Sequence, residues 1–264
     1  MNPANDTGIP IIGYAPLLDE AECLEGWIKN IRFFSDEVWA LYDPRSIDNT
    51  LVLLQDAVEK YKDSDVPVYI WEQDIMLGDS YRGHEGPKKE LSYRANVNKF
   101  MKDHIPMFAW SMWLAGDERL NPHEIDKYYE YLLYADYQGF DGICFDLYDC
   151  YPDMNHYANY RAIYKEGLFH RKLVKRYPHY KYNLTPHSNY IGGANFIQSG
   201  LQFFHFGHLK GDSKYLNWWR HKNGLDLLDR LHPEDRFLPF ENPFKDWKKG
   251  ELQCPIINNN TLAH

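Results

Sequence analysis

The first third of the chain alternates short apolar runs with segments of helical periodicity, and this alternation constrains the fold more than any other feature. Apolar runs at Ile9–Tyr14, Glu37–Tyr42 and Val66–Trp71 have the length of strands. Between them, apolar residues recur at helical spacing in Leu24–Ile31 and Leu51–Tyr61. Such alternation predicts an α/β fold in which right-handed crossovers wind a mainly parallel sheet flanked by helices.

The next apolar run is followed at once by acidic residues. Met107–Leu114 stops at Ala115–Gly116, after which Asp117 and Glu118 follow. We interpret the run as a buried central strand with Asp117 at its carboxyl end, where the ligands of open α/β sheets bind. The alternative is that both acids only charge the first turn of the following helix.

Local signals predict where several elements begin and end. Asp19 and Glu22 have the spacing of a capping box, and Asp48 can cap the second helix. Asn121-Pro122 predicts the start of a later helix, which Gly139 ends. The remaining pattern predicts strands at 140–148, 180–185 and 201–206 and a short helix at 225–231.

Composition and charge exclude several classes of protein. With 264 residues, 44% of them hydrophobic, the chain can form one large domain or two small ones. Its four cysteines lack metal-ligand spacing and fit reduced thiols, and no apolar run reaches the roughly 18 to 20 residues of a membrane span. The net charge of -9 argues against a general polyanion-binding surface, while basic residues at 171–176 leave a local nucleic-acid patch open. We therefore expect a cytoplasmic protein without a membrane span.

The stretch around the central strand resembles a known family. Trp110–Pro122 reads W-S-M-W-L-A-G-D-E-R-L-N-P and is similar to the W-(apolar)3-L-D-A-D-E-R-L-x-P segment of family 2 glycosyltransferases. In that family the acids of the D-x-D motif hold a divalent metal and the diphosphate of a nucleotide sugar. Ala115 replaces the first acid, so only Asp117 of this motif carries over, and the resemblance assigns metal binding, donor binding and a catalytic role to it.

The resemblance also implies an architecture and a reaction. The chain is expected to be a single type A glycosyltransferase domain, 1–264, with a nucleotide-sugar-binding half at 1–120 and an acceptor-binding half at 121–264. It would transfer a sugar, with inversion, from a nucleotide-diphosphate sugar to a hydroxyl of a carbohydrate or other acceptor, using Mn²⁺ or Mg²⁺. The glycine-bearing loop at 74–87 is predicted to order over the donor or acceptor. A non-catalytic sugar- or nucleotide-binding relative is the alternative.

Three further residues match donor-binding positions of the family. Tyr42–Thr50 is similar to its D-D-G-S-T-D-N-T turn, in which Asp43 would accept a hydrogen bond from the base; a plain turn acid is the alternative. Arg94 lies where the family has an A-R-N helix start near the diphosphate, and a surface arginine is the alternative. Tyr14, near the end of the opening strand, would border the nucleotide unless it only packs in the core.

Two histidines match later motifs. Gln202–Gly211 resembles the family's l-x-H-x-G-Y strand, which implies that His205 is the second metal ligand, and strand alternation puts it on the face opposite Phe204. A core histidine is the alternative. His187, in the segment L-T-P-H-S-N, matches the family's H-E region and would contact the acceptor. Ser188 stands where that region has a glutamate, a candidate general base.

The strand predicted at 140–148 supports a rival interpretation. Gly139–Pro152 resembles the D-G-x-D-x-D-W-E-Y-P strand of family 18 chitinases, which are TIM-barrel hydrolases with paired catalytic carboxylates. Cys144 and Tyr148 replace two of these acids. The segment also contains three acids, Asp141, Asp146 and Asp149. In the transferase interpretation we retain Asp149 as the catalytic candidate for the missing base.

Overall fold

The computed structural model describes residues 5–74, 86–151, 153–159, 169–175, 181–182, 190–191, 195–206 and 230–244. Within these ranges the helices are α1 (Ala21–Phe33), α2 (Thr50–Tyr61), α3 (Gly86–His104) and α4 (Ile125–Gln138). The strands are β1 (Ile11–Leu17), β2 (Glu37–Tyr42), β3 (Val68–Glu72), β4 (Trp110–Trp113), β5 (Glu118–Leu120), β6 (Gly142–Asp149), β7 (His156–Ala158), β8 (Phe169–Lys175), β9 (Lys181–Tyr182), β10 (Tyr190–Ile191), β11 (Phe196–His205) and β12 (Phe237–Pro239).

Eight of these strands form one sheet in the order β3-β2-β1-β4-β8-β6-β11-β5. The strands from β3 to β4 pair in parallel, and β6 and β11 are also parallel. β8 is antiparallel to β4 and β6, and β5 is antiparallel to β11. Six strands therefore run in one direction, and their carboxyl ends lie along one edge. This topology confirms the predicted α/β class with a mainly parallel sheet.

Helices cover both faces of the sheet. Residues of α1, α2 and α4 pack against one face in the larger core. α3 packs against the other face through Val97 and Phe100. β1 lies between these layers, and its side chains alternate, with Ile11 in the larger core and Ile12 in the smaller one. The sheet is therefore flanked by helices as expected.

The rival barrel interpretation is wrong. A TIM barrel is a closed ring of eight parallel strands. In the part of the chain that the structure describes, the large sheet has β3 and β5 at its two ends, and β8 and β5 run against the other strands. β6, the strand that resembles the chitinase motif, lies inside this sheet between β8 and β11.

Helix ends follow the sequence signals in one case and depart from them in another. α4 begins after a short 3₁₀ turn in which the Asn121 side chain accepts a hydrogen bond from His123 N, and Gly139 ends it with a φ of 74°. The predicted capping box of α1 is wrong, because Glu20 precedes the helix and makes no side-chain cap. Asp48 instead accepts from Ala21 N at 2.9 Å, which joins the loop before α2 to the start of α1.

Several strand boundaries differ from their predictions. β1 extends to Leu17, and the apolar run at 107–114 forms only the four residues of β4. Gly86 and Pro87, the last residues of the loop predicted at 74–87, form the start of α3, and 75–85 lie outside the described residues. The predicted helix at 225–231 also lies outside them, except for its last two residues, which are not helical. Among the described helices, none is long and apolar enough to cross a membrane.

A bulge in β11 sets the position of its last residues. Gln198 lies opposite Cys144 of β6, and Gln202 lies opposite Asp146, so β11 uses two more residues than β6 over this stretch. Gly200, within the bulge, has a φ of 66°, which a glycine adopts without strain. The result is a register in which His205 lies directly opposite Asp149.

Candidate active site

Three side chains meet at the carboxyl edge of the sheet, and we call them the Asp117–His205–Asp149 cluster. Asp149 and His205 are the last residues of the parallel strands β6 and β11, and Asp117 directly precedes β5. Backbone hydrogen bonds fix all three, because Cys150 N donates to His205 O and Phe206 N donates to Asp117 O, each at 2.9 Å. The cluster therefore joins chain segments that are far apart in the sequence.

The imidazole of His205 lies between the two carboxylates. Its Nδ1 is 2.7 Å from Asp149 Oδ1, and its Nε2 is 3.6 Å from Asp117 Oδ2. The exposed side-chain fractions are 14% for His205, 11% for Asp117 and 1% for Asp149. A ligand at this edge can thus reach the imidazole and Asp117, whereas Asp149 lies behind them.

The two acids decide the charge of His205. Burial lowers the pKa of the imidazole, but the negative charges of Asp117 and Asp149 and their hydrogen bonds outweigh burial and raise the pKa well above its ordinary value. The protonated imidazole balances part of the negative charge that the two carboxylates bring to this edge. A divalent cation bound here would take over that role.

The cluster fits a divalent ion in its donor chemistry and in its dimensions. Carboxylate oxygen and imidazole nitrogen are ligands that Mn²⁺ accepts, and each lies about 2.1 Å from a bound ion. The 3.6 Å between His205 Nε2 and Asp117 Oδ2 is compatible with two ligands of one ion. The cluster offers two protein ligands, since within the described residues no group of three or more His, Cys, Asp and Glu side chains could hold a metal.

Buried polar residues hold the loop that carries Asp117. Glu118 closes it, since its Oε2 accepts from Ala115 N at 2.8 Å and its own N donates to Ala115 O at 2.9 Å. From α1, Trp27 Nε1 donates to Leu114 O at 2.7 Å. The alternative that Asp117 and Glu118 charge the first turn of a helix is therefore wrong, because Asp117 directly precedes β5 and Glu118 is the first residue of that strand.

Arg119 and Asn30 hold the same segment from its other side. Arg119 is 2% exposed and donates to Gly116 O, Glu118 O and Cys23 O at 2.6 to 2.8 Å. Asn30 donates to Leu120 O and accepts from Leu120 N, which pairs α1 with β5. Arg119 is the R of the D-E-R-L part of the motif, so the sequence pattern already included the arginine that fixes the loop.

Asp43 does not face a ligand directly. It follows β2 at the same edge of the sheet, but it is 0% exposed. Arg45 Nε donates to its Oδ1 at 2.8 Å, the Arg45 Nη2 forms an ion pair with its Oδ2, and Arg45 N donates to Oδ1 at 3.0 Å. The prediction that Asp43 accepts directly from a base is therefore corrected: its carboxylate is bonded to Arg45, which is the group nearer the surface.

The other predicted site residues lie apart from the cluster or outside the described residues. Tyr14 is in the middle of β1 rather than at its end and is 1% exposed, with its ring 5.3 Å from that of Phe100. The packing alternative therefore holds for Tyr14. Arg94 lies on α3 and is 9% exposed, so the surface alternative is wrong, while its role at a diphosphate stays a prediction. His187 lies outside the described residues.

No protein-family model and no curated protein matches the sequence. In structure the chain is similar to S. aureus TarS 1-349, with a TM-score of 0.37 and 16% identity over 54% of this chain and 37% of that one. It is also similar to glucosyl-3-phosphoglycerate synthase from Mycobacterium tuberculosis in complex with Mn²⁺, uridine diphosphate and phosphoglyceric acid, with a TM-score of 0.34 and 15% identity over 58% of this chain and 47% of that one. The chain thus matches less than half of each of these structures, and they assign it to no family.

Proposed function

We propose that the chain is a glycosyltransferase with a type A fold, which transfers a sugar from a nucleotide-diphosphate sugar to an acceptor hydroxyl. The observation that carries the proposal is the 3.6 Å separation of His205 Nε2 and Asp117 Oδ2. Separate motifs assign these two residues to one metal, although they are distant in the sequence. Their position at the carboxyl edge of a mainly parallel sheet is where ligands of such sheets bind.

In this proposal Asp117 and His205 hold Mn²⁺ or Mg²⁺ together with the diphosphate of the donor. Imidazole in the ligand set favours Mn²⁺ over Mg²⁺, which prefers oxygen ligands. The ion, when bound, supplies positive charge against the charge that develops on the leaving diphosphate. Asp117 would help orient the diphosphate through the ion, for a direct displacement that inverts the sugar.

The two halves of the chain would divide donor and acceptor. Residues 1–120 would bind the nucleotide, with Arg45 rather than Asp43 presented to it and with Arg94 as a diphosphate-binding candidate. Residues 121–264 would bind the acceptor, a carbohydrate or another molecule with a hydroxyl group, and His187 stays the acceptor-binding candidate. No residue is assigned as the general base, because Asp149 is buried behind His205.

Isothermal titration calorimetry of Mn²⁺ and nucleoside diphosphates tests the shared site. Mn²⁺ alone should bind weakly, and UDP, GDP or another diphosphate of the panel should tighten it by about tenfold, within the usual range of coupling between ligands. Asp117→Asn and His205→Ala should each abolish this coupling. Equal Mn²⁺ affinity with and without every diphosphate in the panel would refute the proposal.

A second Asp–His pair supplies the matched control. His156 Nδ1 lies 2.9 Å from Asp153 Oδ1, on β7 and outside the large sheet. His156→Ala removes a comparable hydrogen bond and should leave the coupling unchanged. Loss of coupling in this variant would mean that the calorimetric signal does not come from the cluster.

A non-catalytic nucleotide- or sugar-binding protein is the second candidate function. Ala115 in place of the first motif acid and the burial of Asp149 favour it, because both remove a side chain that the reaction is expected to use. Metal-dependent hydrolysis of a nucleotide sugar separates the two candidates. A transferase slowly passes the sugar to water in place of the acceptor and so releases nucleoside diphosphate. A binding protein releases none.

A further inference from the structure

We infer that Asp149 is a positioning residue, which holds the imidazole of His205 so that Nε2 faces Asp117 and the metal. The inference deepens the proposed function and rests on it, because it takes His205 as a metal ligand. It also replaces the role predicted from the sequence, in which Asp149 acts as a catalytic base.

The hydrogen bond between Asp149 and His205 fixes the ring. Asp149 Oδ1 accepts from Nδ1 at 2.7 Å, and this bond leaves the opposite nitrogen, Nε2, directed at Asp117 Oδ2. Rotation of the ring about its Cβ–Cγ bond would break the contact with Asp149. The orientation of the ligand nitrogen is therefore set by a carboxylate that does not itself reach the ion.

Asp149 is held too firmly, and too deeply, to act on an acceptor. It lies directly opposite His205 in the β6–β11 ladder, and Cys150 N next to it donates to His205 O at 2.9 Å. Only 1% of its side chain is exposed. Because the ladder fixes both residues at the same register and on the same face, the sheet keeps the carboxylate and the imidazole next to each other.

A carboxylate behind a histidine ligand has a known physical effect. It fixes the ring and makes the ligand nitrogen a better electron donor, and its loss weakens metal binding by about 10- to 100-fold. Asp149→Ala should weaken Mn²⁺ binding in the presence of saturating UDP by a factor in this range. Asp149→Asn, whose amide oxygen still accepts from Nδ1, should lose less Mn²⁺ affinity than Asp149→Ala.

Electron paramagnetic resonance of free Mn²⁺ measures these affinities without requiring turnover. Ser111→Ala, on β4, is the matched control, because Ser111 is 2% exposed and donates to Val174 O of β8 at 3.2 Å. This variant removes a buried hydrogen bond of the same sheet, between strands other than β6 and β11, and should keep the wild-type Mn²⁺ affinity. Wild-type Mn²⁺ affinity in Asp149→Ala would overturn the inference.

A measurement on the unaltered protein covers the case in which Asp149→Ala does not fold. Histidine labelled with ¹⁵N reports both ring nitrogens of His205 by NMR when Mg²⁺ and UDP bind. The inference expects a proton that stays on Nδ1 and a resonance of Nε2 that shifts with the metal. The reverse pattern, with Nδ1 shifted and Nε2 protonated, would overturn it, whereas absence of any metal binding would instead refute the proposed function.

Discussion

Two buried carboxylates at the edge of the sheet each hold one basic side chain. As whole residues, Asp43 and Asp149 are both 0% exposed, and their carboxylates bond Arg45 and His205 respectively. In each pair the basic group is the more exposed partner, with 25% of the Arg45 side chain and 14% of the His205 side chain accessible. A ligand at these two positions therefore meets a guanidinium and an imidazole rather than the carboxylates.

The pair at Asp43 gives a prediction at the scale of single residues. Arg45→Ala should lower the free energy of unfolding by about 3 kcal/mol, because it leaves a buried carboxylate without its counter-charge. Urea denaturation measures the loss. The double variant Asp43→Asn/Arg45→Ala removes the buried charge as well and should recover part of the lost stability. A double variant no more stable than Arg45→Ala would contradict the charge-pair explanation.

At the scale of elements, local sequence signals predicted some boundaries and could not predict others. β2 begins and ends as predicted, and α4 ends at Gly139, because alternation and a left-handed glycine are local features. β5 was missed because its three residues form a strand only by pairing with β11. The contact of Asp149 with His205 was missed for a related reason, since it depends on a bulge that periodicity does not indicate.

The end of α4 is fixed to the sheet by one acid. Asp136 Oδ1 accepts from Lys175 Nζ of β8 at 2.6 Å and from Trp110 Nε1 of β4 at 2.8 Å. Burial raises the pKa of Asp136, but the hydrogen bonds from Lys175 and Trp110 and the charge of Lys175 outweigh burial, so the pKa lies below its ordinary value. The acid thereby connects one helix with two strands of opposite direction.

The lowered pKa of Asp136 predicts a pH dependence of stability. A depressed folded-state pKa adds stability that is fully present above the unfolded pKa of about 3.9 and is lost as the pH falls through the folded pKa. Between about pH 5 and about pH 3, urea denaturation should therefore show a larger loss of unfolding free energy for the wild type than for Asp136→Asn. Asp126→Asn, which alters an exposed acid of the same helix, should keep most of the wild-type loss. Equal losses in wild type and Asp136→Asn would contradict the prediction.

At the scale of the whole molecule, the two proposed halves share one sheet. β8, from the second half, lies between β4 of the first half and β6 of the second. β5, from the first half, forms the far edge of the sheet against β11. Residues 1–120 and 121–264 therefore contribute strands to one interleaved unit rather than forming separate folding units.

This interleaving predicts that neither half folds alone. A fragment of residues 1–120 would lose β8 beside β4 and β11 beside β5, which leaves unpaired strand edges. Size-exclusion chromatography and thermal denaturation should show aggregation and no cooperative transition. Co-expression with residues 121–264 should restore a soluble complex. Cooperative unfolding of the first fragment by itself would contradict the interleaved description.

The bulge in β11 also limits how the length of this strand can change over evolution. It adds an even number of residues relative to β6, so His205 stays on the face that carries Phe203 and Leu201. An insertion or deletion of one residue between Gly200 and His205 would turn the imidazole to the face of Phe204, on the far side from Asp117. As long as the histidine keeps its role, length variation here is confined to pairs of residues.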